Sequence, residues 1–242
     1  MVQVTDEAFV LSVKQHAEKL AIVKCLTRNN GIFSGSVRNI LTKGAKGVYL
    51  PANLIKFSWS ARLEEHLGIL SGDLVRSYSA NFFYDRNKAY AVSSLLELIE
   101  FTFHERDHIP ALFELLLGYL ESLQDKDFSV RQYVIAEIKL LEMAGYILQL
   151  ERCGVTGVRE NLAYVSPRSG RAISWEVGRA YHDQLLLLPS FLIDDRVTAN
   201  SHDIENAFRL SEYFLQRYVY KDSYRKLPKV RKSLVEGFFY AS

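Results

Sequence analysis

The sequence predicts an α+β protein, with an N-terminal β-barrel domain over residues 1–80 and an all-α domain over residues 81–242. Before residue 80, apolar and polar residues alternate over short runs, as they do on strands with one buried face. After about residue 89, apolar residues recur every three or four positions, as they do on helices. The change of period therefore predicts a domain boundary near residue 80.

Five short strands are expected in the first domain. The clearest is the segment 53–60, in which Ile55, Phe57 and Trp59 alternate with polar residues. The other four runs cover residues 9–13, 20–26, 31–37 and 68–78. Five short strands with glycines at the bends, within about 80 residues, are typical of a small closed barrel such as an OB-fold.

The segment 38–51 separates the third and fourth strands and is expected to be a loop. Its centre, KGAKG at 43–47, contains two glycines that let a backbone come close to a phosphate chain and two lysines that attract it. This loop is therefore the predicted centre of any polyanion-binding surface.

The second domain is expected to be built from helices. Ser94 and Glu97 have the spacing of a capping box at the start of one helix, and Pro110 suits the first turn of the next. The segment about 151–181 is expected to be irregular and Gly-rich. Three further helices are expected at about 130–148, 202–220 and 228–239.

Charge is unevenly distributed along the chain, although the net charge is only +2. Residues 1–80 carry ten lysines and arginines against six carboxylates, residues 81–216 carry thirteen against twenty, and residues 217–242 carry seven against two. Residues 19–63 contain eight cations and no Asp or Glu. This window suits a surface that follows a polyanion, because carboxylates would repel its phosphates. The alternative is a solvated face that happens to be rich in lysine.

Aromatic side chains accompany these cations, as in OB-folds that stack the bases of single strands. Phe57 and Trp59 alternate with Lys56 and are expected in the core, whereas Phe33 and Tyr49 are open candidates for stacking. The C-terminal stretch adds a second group of cations, which is either a phosphate-contacting face or the solvated end of a helix pair. That group comprises Arg217, Lys221, Arg225, Lys226, Lys229, Arg231 and Lys232.

One motif resembles a metalloprotease site. The segment from His104 to His108 matches H-E-x-x-H, in which two helical histidines bind zinc and the glutamate activates water. It lies at the expected end of a helix, with Pro110 two residues later, and no third ligand follows at a recognised spacing. Nucleotide-binding motifs are also missing, and no Ser or Cys nucleophile with a His partner can be assembled. We therefore expect no catalytic residue, and a protein that is not an enzyme.

The two cysteines, Cys25 and Cys153, fall in different predicted domains and do not make a disulfide framework. The N-terminus lacks the basic and apolar runs of a signal peptide. No apolar run approaches the roughly 20 residues needed to cross a bilayer. These features predict a cytoplasmic protein with no membrane partner.

Several short motifs, taken in order, resemble the RecO family of DNA repair proteins. In the first domain they are 9–13, Leu26-Thr27 with Gly31, the basic loop through Lys46, and Leu50-Pro51. The segment 61–68 is similar to the version found in α-proteobacterial members. In the second domain the motifs are 105–110 followed by Leu112-Phe113, then 153–157, 165–167 and Gly170. The match at 105–110 makes the H-E-x-x-H pattern a coincidence.

The resemblance implies an OB-fold followed by a helical domain. Many family members carry zinc on four cysteines, which would fall near Cys153, Thr156, Ser174 and Val177 here. Three of these four residues are not cysteine. The segment about 151–181 is therefore expected to be a degenerate version of the zinc site, with no metal and no cofactor.

The resemblance also implies a recombination mediator. Such proteins bind single- and double-stranded DNA, anneal complementary strands, bind the acidic C-terminal tail of single-stranded-DNA-binding protein (SSB), and help RecA to load together with RecR. This implies a nucleoid-associated location in the cytoplasm and no covalent chemistry. The alternatives are a generic OB-fold protein for single-stranded DNA or RNA, and a non-catalytic adaptor.

Cations are the residues expected to contact DNA phosphates. The main set lies in the first domain and comprises Lys24, Arg28, Arg38, Lys43, Lys46 and Arg62. A second set comprises Arg171, Arg179, Arg225 and Lys229. Such cations would favour annealing, because they neutralise two strands that otherwise repel each other.

Overall fold

The computed structural model describes residues 1–63, 65–82, 84–124, 128–221 and 226–239. Contacts between residues divide the chain into two compact units. Unit 1 comprises Met1–Phe128 and Pro228–Ser242, and unit 2 comprises Ser129–Leu227. The predicted boundary near residue 80 lies within unit 1.

Five strands of unit 1 form a closed barrel in the order β1-β2-β3-β5-β4. The strands are β1 Val2–Ala17, β2 Leu20–Thr27, β3 Gly31–Arg38, β4 Leu54–Ala61 and β5 Gly68–Arg76. Neighbouring strands run antiparallel, except that β3 and β5 pair in parallel at Gly35–Gly68 and Ser36–Ile69. The predicted fold class, an OB-fold barrel followed by a helical region, is confirmed.

Strand β4 follows the alternation in its sequence. Ile55, Phe57 and Trp59 are fully buried, and the polar residues between them are exposed. The Trp59 indole N–H donates a hydrogen bond to the Ser34 carbonyl oxygen at 3.0 Å. The one polar atom of this large side chain is therefore satisfied inside the barrel.

The structure excludes Phe33 and Tyr49 as base-stacking residues. Only 4% of Phe33 and 7% of Tyr49 is exposed, because both side chains belong to the barrel core. Phe33 contacts Phe57 and Trp59 edge to face, at centroid distances of 5.5 and 5.3 Å. The prediction that Phe57 and Trp59 lie in the core is confirmed.

The segment 38–51, which was expected to be a loop, contains a short helix, α1, at Lys43–Val48. Thr42 caps its start by accepting a hydrogen bond from the Ala45 amide. Ala45 and Val48 pack against the barrel core. The sequence does not predict this helix, because its two glycines lower helix propensity and six residues are too few to show a helical period.

Helices make up most of the remaining described structure. Pro110 begins a helix, as predicted, but the predicted capping box at Ser94 is wrong, because that helix begins earlier at the Asp85 cap and buries Ser94 in its middle. The helices are α2 Ser79–Phe82, α3 Arg86–Thr102, α4 Pro110–Ser122, α5 Val130–Met143, α6 Trp175–Gly178, α7 Ser201–Phe214 and α8 Lys229–Phe239. Short 3-10 turns cover Arg179–Gln184 and Ser190–Leu192, and a π turn covers Leu215–Val219.

Unit 2 combines its helices with a small three-stranded sheet in the order β7-β6-β8. The strands are β6 Leu162–Val165, β7 Ala172–Ser174 and β8 Leu186–Leu187. The segment about 151–181 is therefore not wholly irregular, and the second domain is not all-α as predicted. Strands of three or four residues are too short to show a period in the sequence. In the part of the chain that the structure describes, no helix has both the length and the apolar character needed to cross a membrane.

Candidate nucleic-acid interface

The segment 104–108 is a loop that docks on strand β3, and it does not have zincin geometry. Its residues lie between α3 and α4 and are not helical, so His104 and His108 do not share a helix face. Both histidines are exposed, and the His104 ring lies 3.6 Å from the Asp107 carboxylate. The arrangement agrees with the interpretation of H-E-x-x-H as a coincidence.

The loop forms a bridge with β3 at Ile32, outside the part of that strand that pairs with β5. The Arg106 amide donates to the Ile32 carbonyl oxygen at 3.0 Å, and the Ser34 hydroxyl hydrogen-bonds to the Glu105 carboxylate. The Arg106 guanidinium lies over the rings of Phe33 and Trp59, 3.4 and 4.5 Å from their centroids. The loop is therefore part of the barrel's architecture.

Lys24 belongs to an ion-pair network and is not a free cation. Its ammonium lies 3.7 Å from the Glu100 carboxylate, which also binds Lys14 at 2.8 Å. Burial raises the pKa of Glu100, but hydrogen bonds from Lys14 and Ser12 and the two lysine charges outweigh this effect and hold the pKa below its usual value. Lys24 thus helps to hold strand β2 against helix α3.

Arg28 is also engaged within unit 1. It forms ion pairs with Glu7, at 3.1 Å, and with Glu114, and its guanidinium lies 4.3 Å from the centroid of the Phe113 ring. Lys56, another cation of the carboxylate-free window, pairs in register with Glu7 on β1 and with Asp73 on β5. A window without carboxylates in the sequence is therefore not a surface without carboxylates.

Four predicted cations of unit 1 remain exposed: Arg38, Lys43, Lys46 and Arg62. None of the four forms an ion pair with another described residue. Lys43 and Lys46 are three residues apart on α1 and share one of its faces. Arg62 follows the end of β4, in the β4–β5 connection.

Lys19 joins this group, although the sequence did not single it out as a contact. The Asn39 amide donates to the Lys19 carbonyl oxygen at 2.6 Å, and the neighbouring Leu20 pairs with Arg38. The strand register thus brings the β1–β2 turn beside the start of the β3–α1 connection. We call Lys19, Arg38, Lys43 and Lys46 the basic end of the barrel. The exposed Glu18 lies in the same turn as Lys19.

The second predicted set is divided between the two units. Arg171 and Arg179 are exposed in unit 2, and Lys229 is exposed at the start of α8 in unit 1. Arg225 lies outside the described residues. Arg231, a further member of the C-terminal cation group, is only 1% exposed and therefore does not present its charge to solvent.

Hydrogen-bond donors surround the sulfur of Cys153. The Ser174 amide lies 3.3 Å from its sulfur as a donor. Burial disfavours the thiolate, but hydrogen bonds from the Thr156 hydroxyl and amide and from the amides of Ser174 and Val155 lower the pKa of Cys153 to about 6. Val177, at the fourth position of the family's zinc pattern, has no side-chain donor atom. Across the described ranges no cluster of metal-ligating side chains occurs, and this donor set does not fit zinc.

The Cys153 thiolate should make the stability of the protein depend on pH. An unfolded thiol has a pKa of about 8.5, whereas the folded pKa is about 6, so stabilisation is complete above about pH 8.5 and is lost as the pH falls through 6. The free energy of unfolding should rise by about 3 kcal/mol from pH 6 to pH 9, relative to that of Cys153→Ser. Urea denaturation of both proteins at several pH values measures the difference, and parallel curves would contradict the prediction.

Comparison with known proteins places the chain in a family. The family model described as "Recombination protein O N terminal" matches residues 1–78, and the one described as "Recombination protein O C terminal" matches residues 84–228. The chain belongs to the RecO family. The first matched region ends two residues after the last barrel strand, β5, which ends at Arg76.

Relatives named DNA repair protein RecO are similar to this chain over nearly its whole length. A DNA repair protein RecO from Orientia tsutsugamushi (strain Boryong) is 40% identical over 233 residues, which cover 96% of each protein. Another, from Rickettsia canadensis (strain McKiel), is 38% identical over 220 residues, covering 91% of this chain and 90% of the relative. A third, from Rickettsia akari (strain Hartford), is 38% identical over 232 residues and 96% of each protein. The resemblance stated from short motifs is confirmed.

Proposed function

We propose that this RecO-family protein is a mediator of DNA repair by homologous recombination. It binds single- and double-stranded DNA, anneals complementary strands and, with RecR, helps RecA to load on gaps coated with SSB. The acidic C-terminal tail of SSB is its proposed protein ligand. The observation that carries the proposal is the basic end, four exposed cations on an OB-fold barrel in a chain of this family.

The basic end suits contact with phosphates better than recognition of sequence. Lysine and arginine attract the DNA backbone through charge, and each phosphate that they neutralise releases counterions into solution. Two complementary strands repel each other until such cations reduce their charge. A surface of this kind therefore binds strands of any sequence and lowers the barrier to their pairing, without catalytic groups.

Annealing of SSB-coated strands tests the proposal. Complementary oligonucleotides, one carrying a fluorophore and the other a quencher, are each coated with SSB and then mixed with the full-length protein. We expect pairing to be at least about tenfold faster than without the protein and to slow as salt rises. The control uses SSB that lacks its acidic tail, which should remove most of the acceleration on coated strands.

Two other results would overturn the proposal in different ways. Annealing of bare strands but not of SSB-coated strands would identify a generic single-strand binder. Absence of any salt-dependent DNA binding would identify an adaptor whose surface charge has another purpose.

A further inference from the structure

The two tryptophans of the protein lie in opposite environments. Trp59 is fully buried in the barrel, whereas 51% of Trp175 is exposed at the start of α6 in unit 2. A tryptophan that is half exposed on an ordered element leaves a large apolar ring in water. Its surroundings show what that ring can bind.

Trp175 rests on a rigid support. Its ring stacks on Tyr164 with a centroid distance of 5.9 Å and an interplanar angle of 13°. Tyr164 is fully buried, and the His182 ring meets it edge-on at 5.7 Å, with its Nδ1 atom 3.3 Å from the Tyr164 hydroxyl. Gly178 allows this close packing, because a Cβ atom there would lie 2.3 Å from the Tyr164 ring.

The contact with Tyr164 leaves much of the Trp175 side chain in water. The two rings are nearly parallel but offset, with 5.9 Å between their centroids, and 51% of Trp175 is exposed. The Trp175 amide donates to the Asn161 carbonyl oxygen at 2.8 Å, which fixes the backbone that carries the ring. A ring held in this way loses little conformational entropy when a flat ligand stacks on it.

The segment that carries Trp175 is less acidic than the rest of residues 81–216, and an arginine follows Trp175 by one helical turn. Residues 151–183 carry five arginines against four carboxylates, whereas the rest of the segment 81–216 carries eight lysines and arginines against sixteen carboxylates. Arg179 is exposed and lies one helical turn after Trp175, since its amide donates to the Trp175 carbonyl oxygen. The nearest carboxylate in sequence, Glu176, accepts a hydrogen bond from the Asn161 side chain at 3.2 Å.

We propose that Trp175 is a stacking platform for an unpaired base of single-stranded DNA, and that Arg179 contacts a phosphate beside that base. This inference rests on the proposed function and adds a site in unit 2 to the basic end. Single strands present base faces that an aromatic ring can cover, and an adjacent arginine supplies the charge that such sites use. A duplex hides its base faces, so the platform distinguishes single from double strands.

The two tryptophans make the test direct. The full-length protein is titrated with a fluorophore-labelled oligothymidine, with anisotropy reporting affinity, and with the unlabelled oligomer, with tryptophan emission reporting contact. We expect DNA to quench part of the emission in the wild-type protein. In Trp175→Phe, the remaining emission from buried Trp59 should not change, while affinity stays within about threefold because a ring is retained.

Variants separate stacking from charge. Trp175→Ala should weaken binding of the oligomer by about fivefold or more, with an unchanged salt dependence. Arg179→Gln should lower the slope of log affinity against log salt by about 0.7. Tyr181→Ala removes another exposed aromatic ring of the same segment, 56% exposed, and serves as the matched control that leaves affinity unchanged.

The outcomes distinguish this inference from the proposed function. Binding of DNA with no change in emission and with full affinity in Trp175→Ala overturns the platform and leaves the proposed function intact. Equal quenching by duplex, or quenching only by an acidic peptide, also overturns it, because the ring then contacts something other than an unpaired base. No binding of any DNA by the wild-type protein overturns both.

Discussion

Replacing Lys43 and Lys46 together by glutamine should weaken binding of single-stranded DNA about 10- to 30-fold at about 0.1 M salt. Both lysines are exposed on one face of α1 and form no ion pair with another described residue. Each phosphate contact with a single strand contributes about 0.7 to the slope of log affinity against log salt, so the slope should fall by about 1.4. Anisotropy titrations with a labelled oligonucleotide at several salt concentrations measure both quantities.

The matched control is the pair Lys24→Gln and Lys56→Gln, which removes the same amount of charge from the same barrel. Lys24 is held by Glu100, and Lys56 stands in register with Glu7 and Asp73. This pair should weaken binding by less than about threefold, because Lys24 is paired with Glu100 and Lys56 has a carboxylate residue directly opposite it on each neighbouring strand. If both pairs weaken binding equally, affinity follows net charge and the basic end is not the contact surface.

The difference between these two pairs shows what the sequence could not predict about the interface. The carboxylate-free window contains all four lysines, so the absence of nearby carboxylates in sequence does not distinguish them. Their environments differ because the fold brings in carboxylates from elsewhere in the chain. Arg28 shows the same effect, since its partner Glu114 lies 86 residues away. No pattern along a single sequence reports contacts over such distances.

The barrel itself was predictable because its signal is local. A strand with one buried face repeats every two residues, and β4 carries that period through its length. Helix α1 was not predicted, because six residues with two glycines show no clear helical period. The platform at Trp175 was also missed, since its support, Tyr164, is a separate strand residue that only the fold places beneath it.

Lys19 is a cation that the sequence analysis did not select as a contact residue. The sequence counted it in the basic window but gave no reason to link it with Arg38, and the strand register supplies that reason. An alternating pattern predicts which residues of a strand point outward, but not which strands are neighbours. Charge composition therefore predicted the kind of ligand, whereas the barrel topology shows which cations lie near one another.

The loop 104–108 depends on one glycine for its place on the barrel. Gly31 has φ of +79°, in the left-handed region, and a Cβ atom there would lie 2.4 Å from the Asp107 carbonyl oxygen. Backbone atoms cannot move aside as the end of a flexible side chain can. Any side chain at residue 31 therefore pushes the loop away from β3, and with it the Arg106 guanidinium that covers Phe33 and Trp59.

Gly31→Ala should lower the free energy of unfolding by about 3 kcal/mol. The left-handed conformation accounts for about 1–2 kcal/mol of this loss, and displacement of the docked loop accounts for the rest. Urea denaturation followed by Trp59 fluorescence in a Trp175→Phe background measures the effect at the barrel. Gly47→Ala is the control, because a Cβ atom there meets nothing within 4 Å, and alanine in helix α1 should stabilise by up to about 1 kcal/mol. Equal stability of Gly31→Ala and Gly47→Ala would show that the loop does not need to lie against β3, and that the barrel is stable without it.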